Sequence, residues 1–364
     1  MHRLVRAEID LGAFRHNLDL ARRLAGDGAV WPVVKGDAYG HGMAAIAAAV
    51  EPAAGFCVAD LDEALALREA GVRAPVLVLQ GVFDAAGLHA AIAADLVLGV
   101  HDPEQVALLE REASRLRASP IGLWLKVDTG MHRLGVAADG AAAFRARLVE
   151  LVGDARVGTM MHFACADEPG HPLNDRQVRA FAALDTGRGA VSACNSAALV
   201  TDLWPADSVS RPGIMLYGAS PLPERSAAEL DLRPVMTLRS RLIAVKDIAA
   251  GETVGYGAAF TAPDAMRIGL VAVGYGDGYP RHAPTGTPVL VEGVEVRTVG
   301  RVSMDSIALD LAAAPDARVG DGVTLWGEGL PVERVATAAG TIAYELLTRM
   351  PPRVPRVLVR HARG

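Results

Sequence analysis

The sequence has few cysteines, few aromatic residues and no cluster of basic residues. Its three cysteines, Cys57, Cys165 and Cys194, are far apart and form no CxxC pair, so neither a disulfide framework nor a metal site is predicted. Lysine and arginine total 36 against 42 acidic residues. Without a Lys/Arg block the chain lacks the electrostatic footprint that nucleic-acid and anionic-membrane binders need. A small-molecule partner is therefore expected.

Long hydrophobic runs are also missing. The longest stretches without a charged residue, 38–50 and 189–201, are 13 residues long, whereas a membrane-spanning helix needs about 20 apolar residues. The first ten residues carry charges at Arg3, Arg6, Glu8 and Asp10, where a signal peptide would have an apolar core. We expect a cytoplasmic protein that does not contact the membrane.

What the chain does have is 51% hydrophobic residues and a repeating pattern. Short apolar runs alternate with segments of helical composition, among them 60–71, 102–117 and 138–152. The runs predicted as strands are 29–34, 55–59, 75–79, 95–99, 122–127, 156–163, 190–194 and 208–210. Eight βα repeats favour a (β/α)8 TIM-type barrel. An open doubly wound sheet is the alternative, disfavoured because no GxGxxG follows the first strand.

The texture of the sequence changes near residue 220. A polar, proline-bearing segment at 220–234 is followed by short β-branched runs with Gly-rich turns and little helical pattern before about Ile342, which predicts a mostly β second domain. We place the barrel at 1–225 and the β-rich domain at 226–364. The extreme N-terminal strand is expected to be able to pack on the second domain.

Polar side chains follow several of the predicted barrel strands. In such a barrel the working residues lie on the loops after the strands, so these side chains are expected to meet at one mouth. They are Lys35, Lys126, Asp128, Arg133, His162, Asn195, Ser196, Arg211 and Gly213.

A lysine at the barrel mouth suits Schiff-base formation, and small residues after the last two strands suit a phosphate site. No HExxH, GxSxG, P-loop or DxDxDG motif is present, which disfavours zinc peptidases, serine hydrolases, nucleotide hydrolases and EF-hands. A pyridoxal-phosphate enzyme and a sugar-phosphate aldolase satisfy these clues about equally.

A series of motifs resembles the alanine racemases, which are fold-type III pyridoxal-phosphate enzymes. The segment VVKGDAYGHG at 33–42 is similar to their cofactor-lysine motif, and nine further segments match along nearly the whole chain. These are 7–18, 126–135, 161–168, 195–199, 211–218, 232–242, 251–260 and 273–281, with GRVSMDS at 300–306 closing the series.

The resemblance implies a pyridoxal 5'-phosphate cofactor and a head-to-tail homodimer in which each active site takes residues from both subunits. Lys35 would hold the cofactor and act as one base, and Tyr256 of the second domain would act as the opposing base in the partner's site. Two bases on opposite faces of the substrate carbon are what racemisation requires. Tyrosine is a weak base at neutral pH unless cations favour the phenolate, and the resemblance makes Arg211, relayed through His162, the source of that field.

Further roles follow from the same resemblance. An arginine facing the pyridine nitrogen, here Arg211, should keep that nitrogen unprotonated and disfavour transamination. Lys126 matches a lysine that is often carbamylated. The residues matched to cofactor binding are Lys35, Tyr39, His162, Asn195, Ser196, Arg211, Gly213 and Ile214. Those matched to the substrate end and its entrance are Arg133, Tyr275, Met304, Asp305 and Arg281.

Three positions depart from the pattern of the family. Pro352 stands where some relatives have a tyrosine that contacts the phosphate, Ser192 replaces a histidine, and Ser303 replaces a cysteine beside the Met-Asp pair. We expect these changes to affect supporting contacts and substrate breadth more than the central roles.

The sequence favours an alanine racemase that supplies D-alanine for peptidoglycan. Racemases acting on serine or on basic amino acids are the nearest alternative. A difference of one methylene in a pocket changes the discrimination between substrates by only about 1–3 kcal/mol, and the sequence does not resolve so small a difference. A fold-type III decarboxylase is less favoured for two reasons. It should lack Tyr256 in this setting, and it would be expected to have a cysteine in its second domain, whereas all three cysteines here precede residue 195. A non-catalytic pyridoxal-phosphate carrier would leave the second domain unexplained.

Overall fold

The computed structural model describes residues 3–50, 52–204 and 208–359. Its first part contains eight short strands at the positions that the alternating pattern predicts. They are Ala29–Val30, Phe56–Val58, Val76–Val78, Val97–Val100, Gly122–Asp128, Val157–Met160, Val191–Ser192 and Val209–Ser210. A further short strand, Val136–Ala137, pairs with Gly122–Asp128.

These strands close into a barrel. The second to seventh form one parallel sheet, and the first and eighth pair with each other. A bridge between Val33 and Cys57 joins that pair to one edge of the sheet, and the Arg211 N–H donates to the Cys194 carbonyl, 2.8 Å away, at the other edge. The carboxyl ends of all eight strands therefore surround one mouth.

Helices cover the outside of the barrel, and many of them begin at an aspartate. Asp60 accepts the Glu63 N–H at 3.0 Å and Asp84 accepts the Gly87 N–H at 2.7 Å; each such cap stabilises a helix by about 1 kcal/mol. The predicted helix 102–117 is divided at Glu112, where the backbone leaves the helical conformation. The barrel helices are Leu11–Ala25, Met43–Val50, Leu61–Glu69, Ala85–Ala93, Pro103–Arg111, Ala113–Arg117, Ala141–Val152, Pro172–Ala182 and Ser196–Val200.

The second part of the chain is built on an eight-stranded sheet. Its strand order is Met266–Val271, Ile307–Asp310, Val294–Val299, Pro288–Val291, Gly322–Trp326, Met236–Ile248, Arg6–Asp10 and Arg356–Val359. The first strand in this order also pairs with Met236–Ile248, so the sheet closes on itself. The prediction of a barrel followed by a mostly β domain is confirmed.

The two ends of the chain lie side by side in this second sheet. Arg6–Asp10 runs antiparallel to Met236–Ile248 and parallel to Arg356–Val359. Arg6–Asp10 leads into the first barrel helix, and Met236–Ile248 follows the barrel. The sheet therefore joins the segments that enter and leave the barrel. This arrangement fixes the second domain next to the barrel.

The second domain also contains two short helices, one of which lies where the sequence showed little helical pattern. A helix, Val332–Ala338, precedes Ile342 and is followed by a second helix, Ala343–Thr348. Val332, Val335 and Ala336 are buried along one face of the first of these helices. The segment is too short for a periodic pattern to stand out in the sequence, and packing against the sheet stabilises it.

Candidate active site

The carboxyl ends of the barrel strands surround a cavity of about 640 Å³. It brings together most of the barrel residues singled out from the sequence. Those that line it are Lys35, Tyr39, Lys126, Arg133, His162, Asn195, Ser196, Arg211, Gly213 and Ile214. Asp128 is not among them; it closes the turn that leads to Arg133 by accepting the Gly130 N–H at 2.9 Å.

Lys35 begins a turn of left-handed helix. The φ angles of Gly36, Asp37, Ala38 and Tyr39 are 62°, 53°, 54° and 51°. For residues other than glycine this conformation costs roughly 1–2 kcal/mol each. Backbone strain of this kind persists only where the surroundings hold it in place. The turn presents Lys35 and Tyr39 to the same cavity.

Side chains on every side hold the turn. The Asp37 carboxylate accepts the Met43 N–H at 2.7 Å, and His41 Nδ1 lies 2.8 Å from the Tyr39 carbonyl oxygen. Burial lowers the pKa of His41 to about 4, so the ring is neutral and Nδ1 is the donor. Arg356, on the C-terminal strand, donates Nε–H to the Gly40 carbonyl at 3.0 Å. Both domains therefore support the turn.

Tyr39, Ser196 and Gly213 form a cradle for an anionic group. Ser196 Oγ accepts the Gly213 N–H at 2.9 Å. A Cβ atom on Gly213 would overlap the Tyr39 hydroxyl and lie 3.0 Å from the ring carbon that carries it. The hydroxyl reaches the backbone at this position only because no side chain stands there. Two hydroxyls and main-chain N–H groups thus converge, which is the usual construction of a phosphate site in these barrels.

Arg211 is buried beneath the cavity and is held by neutral acceptors. Its Nη2 donates to the Met161 carbonyl at 2.7 Å, and its Nη1 donates to Ser192 Oγ. Ser192, one of the departures from the family pattern, therefore contacts Arg211 directly. No carboxylate accepts from this guanidinium among the hydrogen bonds and ion pairs of the described chain, so its positive charge is directed at whatever occupies the cavity.

The cavity is strongly cationic. Burial lowers the pKa of His162 well below its usual value, and the positive charges of Arg211 and Lys126 lower it further. The imidazole is therefore neutral at pH 7. Lys35 contacts the solvent in the cavity, yet the surrounding protein, which desolvates its amine, and Arg133 both lower the pKa of Lys35. Such a site favours an anionic ligand and supplies a lysine amine that loses its proton readily.

The candidate residues of the second domain are not in this cavity. Tyr256 is 69% exposed, Met304 53% and Tyr275 41%. Tyr275 and Met304 are adjacent, because the N–H of Gly276 donates to the Met304 carbonyl at 2.9 Å, and Asp305 follows Met304. Within one chain, the candidate residues of the second domain therefore lie outside the cavity that the barrel residues line.

Comparison with known sequences and structures covers both parts of the chain. Residues 9–221 match the alanine racemase N-terminal domain, and residues 235–358 match the alanine racemase C-terminal domain. The chain belongs to the alanine racemase family.

Individual alanine racemases match this chain over nearly its whole length. The alanine racemase of Halorhodospira halophila is 47% identical, and the match covers 98% of each chain. The crystal structure of the biosynthetic alanine racemase from Pseudomonas aeruginosa superimposes with a TM-score of 0.93 at 45% identity, covering 98% of this chain and 99% of the other. For the alanine racemase of Acinetobacter baumannii the TM-score is 0.92 at 38% identity, covering 98% of this chain and 100% of the other.

The sequence did not reveal every residue at this alanine racemase site. Glu63, Gln80, Tyr344 and Thr348 also line the cavity. The Tyr344 ring lies 6.1 Å from the Tyr39 ring, and burial raises the pKa of Tyr344 to about 12. Glu63, Tyr344 and Thr348 come from helices rather than from strand ends, so the rule that located the others did not reach them. Gln80 lies just after the strand Val76–Val78, where the rule does apply, and it was overlooked because an amide side chain indicated no specific chemistry.

Two further observations concern features expected from the sequence. Pro352, which replaces a tyrosine of some alanine racemases, is exposed and does not line the cavity. Within residues 3–50, 52–204 and 208–359, none of the helices has both the length and the apolar character needed to cross a membrane.

Proposed function

We propose that the chain interconverts L-alanine and D-alanine with pyridoxal 5'-phosphate as its cofactor. The observation that carries this proposal is that Lys35 shares one cavity with an anion cradle and a buried arginine, in a chain that belongs to the alanine racemases. When bound, the cofactor supplies the electron sink that makes the Cα proton of the amino acid acidic.

The residues present fit this cofactor. Gly213 leaves room for the Tyr39 hydroxyl beside the backbone, so Tyr39, Ser196, Gly213 and Ile214 would hold the phosphate group. Lys35 would hold the aldehyde carbon covalently. Asn195 supports the cradle from behind, because its side-chain oxygen accepts the Ala198 N–H at 2.9 Å and caps the helix that carries Ser196.

Arg211 and His162 would set the electronic character of the site. A guanidinium stays protonated at any physiological pH, so Arg211 facing the ring nitrogen would leave that nitrogen without a proton. His162, which is neutral, would lie between Arg211 and the opposing base. The positive charge of Arg211 would then favour the deprotonated form of that base, and His162 would not take up the proton that the base exchanges. Proton exchange at Cα would then be favoured over transamination.

The second base would come from a partner subunit. Tyr256 lies on the exposed surface of the second domain, away from the cavity of its own chain, so the proposed role requires another copy to bring it close. A head-to-tail homodimer with twofold symmetry completes both sites in the same way. Lys35 would exchange the Cα proton on one face of the substrate and Tyr256 of the partner subunit on the other.

Alanine would be bound by a few polar contacts in a confined space. Arg133, which lines the cavity, would pair with the carboxylate of the amino acid. Tyr275, Met304 and Asp305 would close the methyl end from the partner side. If the second domain of a partner covered the mouth, these three exposed side chains would narrow it and disfavour a longer amino acid. This is the basis for proposing alanine over serine or basic amino acids.

Exchange in deuterium oxide tests the proposed function. Purified protein, supplemented with pyridoxal phosphate, should show a visible absorbance band that borohydride removes, with the reduced label on Lys35. Incubation with L-alanine should then give D-alanine deuterated at Cα in a chiral analysis. Absorbance without alanine exchange would contradict the substrate, and absence of any visible band would contradict the cofactor.

Gly213→Ala should weaken cofactor binding strongly. The added methyl group would overlap the Tyr39 hydroxyl, and overpacking of this kind costs about 1–3 kcal/mol, which corresponds to about 5- to 150-fold in affinity. The measurement is the dissociation constant of pyridoxal phosphate, followed by absorbance. Gly170→Ala is the control, because nothing lies within 4 Å of a Cβ atom at Gly170; equal effects of the two substitutions would contradict the cradle.

Lys126 should carry a carbamate. Burial and the neighbouring Arg211 lower the pKa of Lys126 to about 8, so a useful fraction of the amine is unprotonated near neutral pH. That amine can attack carbon dioxide: an N–C bond forms, one C=O π bond breaks to give the carboxylate, and the nitrogen releases one proton to solvent. Counted from the protonated lysine, two protons leave, so a positive charge near Arg133 is replaced by a negative one.

Carbon-13 NMR of protein in labelled bicarbonate checks the carbamate. A carbamate resonance should be present in the wild type and in Lys246→Ala, whose substituted lysine is exposed on the second domain, and absent in Lys126→Ala. A resonance that survives in Lys126→Ala would place the modification elsewhere.

A further inference from the structure

Glu63 joins the cofactor-lysine turn to the neighbouring barrel strand. Its Oε1 accepts the Gly36 N–H at 2.6 Å, and its Oε2 accepts the Ala59 N–H at 2.8 Å. Gly36 directly follows Lys35, and Ala59 directly follows the strand Phe56–Val58. One carboxylate therefore connects the start of the left-handed turn to the end of the next strand.

This arrangement differs from an ordinary helix cap. The sequence Asp60-Leu61-Asp62-Glu63 has the form of a capping box, in which the glutamate would accept the N–H of the capping residue itself. Asp60 does cap the helix, at 3.0 Å from the Glu63 N–H. The Glu63 carboxylate, however, reaches one residue further back, to Ala59, and across to Gly36. Its hydrogen bonds therefore link the turn to the end of the strand and do not cap the helix.

The turn needs such a partner at this point. The first N–H groups of any helical turn have no acceptor within the turn, and Gly36 is the first residue of the left-handed stretch. Asp37, His41 and Arg356 hold the later part of the turn, as described above. Glu63 is the side chain that accepts from its beginning, next to Lys35.

The charge of Glu63 also acts on Lys35. Burial and Arg133 lower the pKa of Lys35, whereas the negative charge of Glu63 raises it. Glu63 lines the same cavity as Lys35 and is partly buried, while its neighbour Asp62 is exposed. The carboxylate therefore opposes the cationic surroundings of the lysine amine.

We infer that Glu63 is a positioning residue for Lys35, which fixes the beginning of the strained turn so that the lysine amine faces the cofactor cradle. The inference rests on the proposed role of Lys35 as the cofactor lysine. The geometric part of it concerns two hydrogen bonds and does not depend on the cofactor.

Amide hydrogen exchange of the full chain tests the geometric part. In Glu63→Ala both hydrogen bonds are lost, and exchange at Gly36 and Ala59 should rise about 10- to 100-fold, since hydrogen bonds to charged groups are among the stronger ones. Glu63→Gln keeps one acceptor oxygen and should protect only one of the two amides. Asp62→Asn, in the same helical turn, should exchange as the wild type does. Unchanged exchange at Gly36 in Glu63→Ala would overturn the inference.

Cofactor uptake tests the functional part. Affinity for pyridoxal phosphate should fall at least about tenfold in Glu63→Ala and be intermediate in Glu63→Gln. The pH at which Lys35 captures the cofactor half-maximally should move to lower values in both variants, because the charge that raises the pKa of Lys35 is gone. Loss of thermal stability alone, with affinity and pH midpoint unchanged, would overturn the positioning role.

The two parts separate the failure of this inference from that of the proposed function. If wild-type protein took up no pyridoxal phosphate, the proposed cofactor would be wrong, and amide exchange would still decide whether Glu63 holds the turn. If the wild type took up cofactor and Glu63→Ala did so equally well, the proposed function would stand and Glu63 would have no positioning role.

Discussion

Replacing Lys35 by alanine should reduce racemisation by at least about 10⁴-fold. A positioned acid/base group contributes up to about 10⁴-fold, and Lys35→Ala also removes the covalent anchor of the cofactor. The structure places the lysine in the cavity at the start of a strained turn. The measurement is the rate of D-alanine formation at saturating pyridoxal phosphate.

The chain offers an unusually clean control for this experiment. It contains three lysines, Lys35, Lys126 and Lys246. Lys246 is exposed on a strand of the second domain, so Lys246→Ala should racemise alanine as the wild type does. Lys35 is itself exposed to the cavity, and Lys35→Ala should therefore unfold at the wild-type temperature. A folded Lys35→Ala protein with more than about a hundredth of wild-type activity would be incompatible with its role as a base.

The placement of the barrel residues could be predicted because it depends on a single geometric rule. Parallel strands end at the same face of a closed barrel, so Lys35, His162 and Arg211 had to meet once the strands were located. The strand positions in turn followed from apolar runs separated by helical segments. Each step needed only the order of residue types along the chain.

Other features depend on contacts between residues far apart in the sequence. The left-handed turn at 36–39 is stabilised by Glu63 and Arg356, which lie 27 and 316 residues from the residues they contact, and three of its four positions are not glycine. Local propensity argues against that conformation. Likewise, nothing in the spacing of Tyr344 distinguishes it from a helix residue that packs on the sheet.

The second-domain residues show a different limit. Tyr256 stands in a turn beside Arg301, whose guanidinium nitrogen would lie 2.8 Å from a Cβ atom on Gly257. Neither the sequence pattern nor the geometry of one chain connects this turn to Lys35. The proposed connection would be made by a second copy of the chain, which the next two predictions test.

Tyr256→Phe should reduce racemisation by about 10²- to 10⁴-fold, because it removes one of the two acid/base groups and leaves the ring in place. The substitution should not unfold the protein, since Tyr256 is 69% exposed. Cofactor absorbance should remain, because Lys35 and the cradle are intact. Tyr279→Phe is the matched control: that hydroxyl is buried in the second domain with no hydrogen-bond partner among the described residues, and its removal should leave the rate unchanged.

Mixing the two inactive variants tests whether the site is shared between subunits. In a mixed dimer of Lys35→Ala and Tyr256→Phe chains, one site receives both substituted residues and the other receives Lys35 and Tyr256 intact. Random exchange of subunits puts half of the chains in mixed dimers, and each mixed dimer has one complete site of two, so about a quarter of wild-type activity should return. If both bases instead acted within one chain, no combination of these subunits would contain a complete site, and mixing would restore nothing.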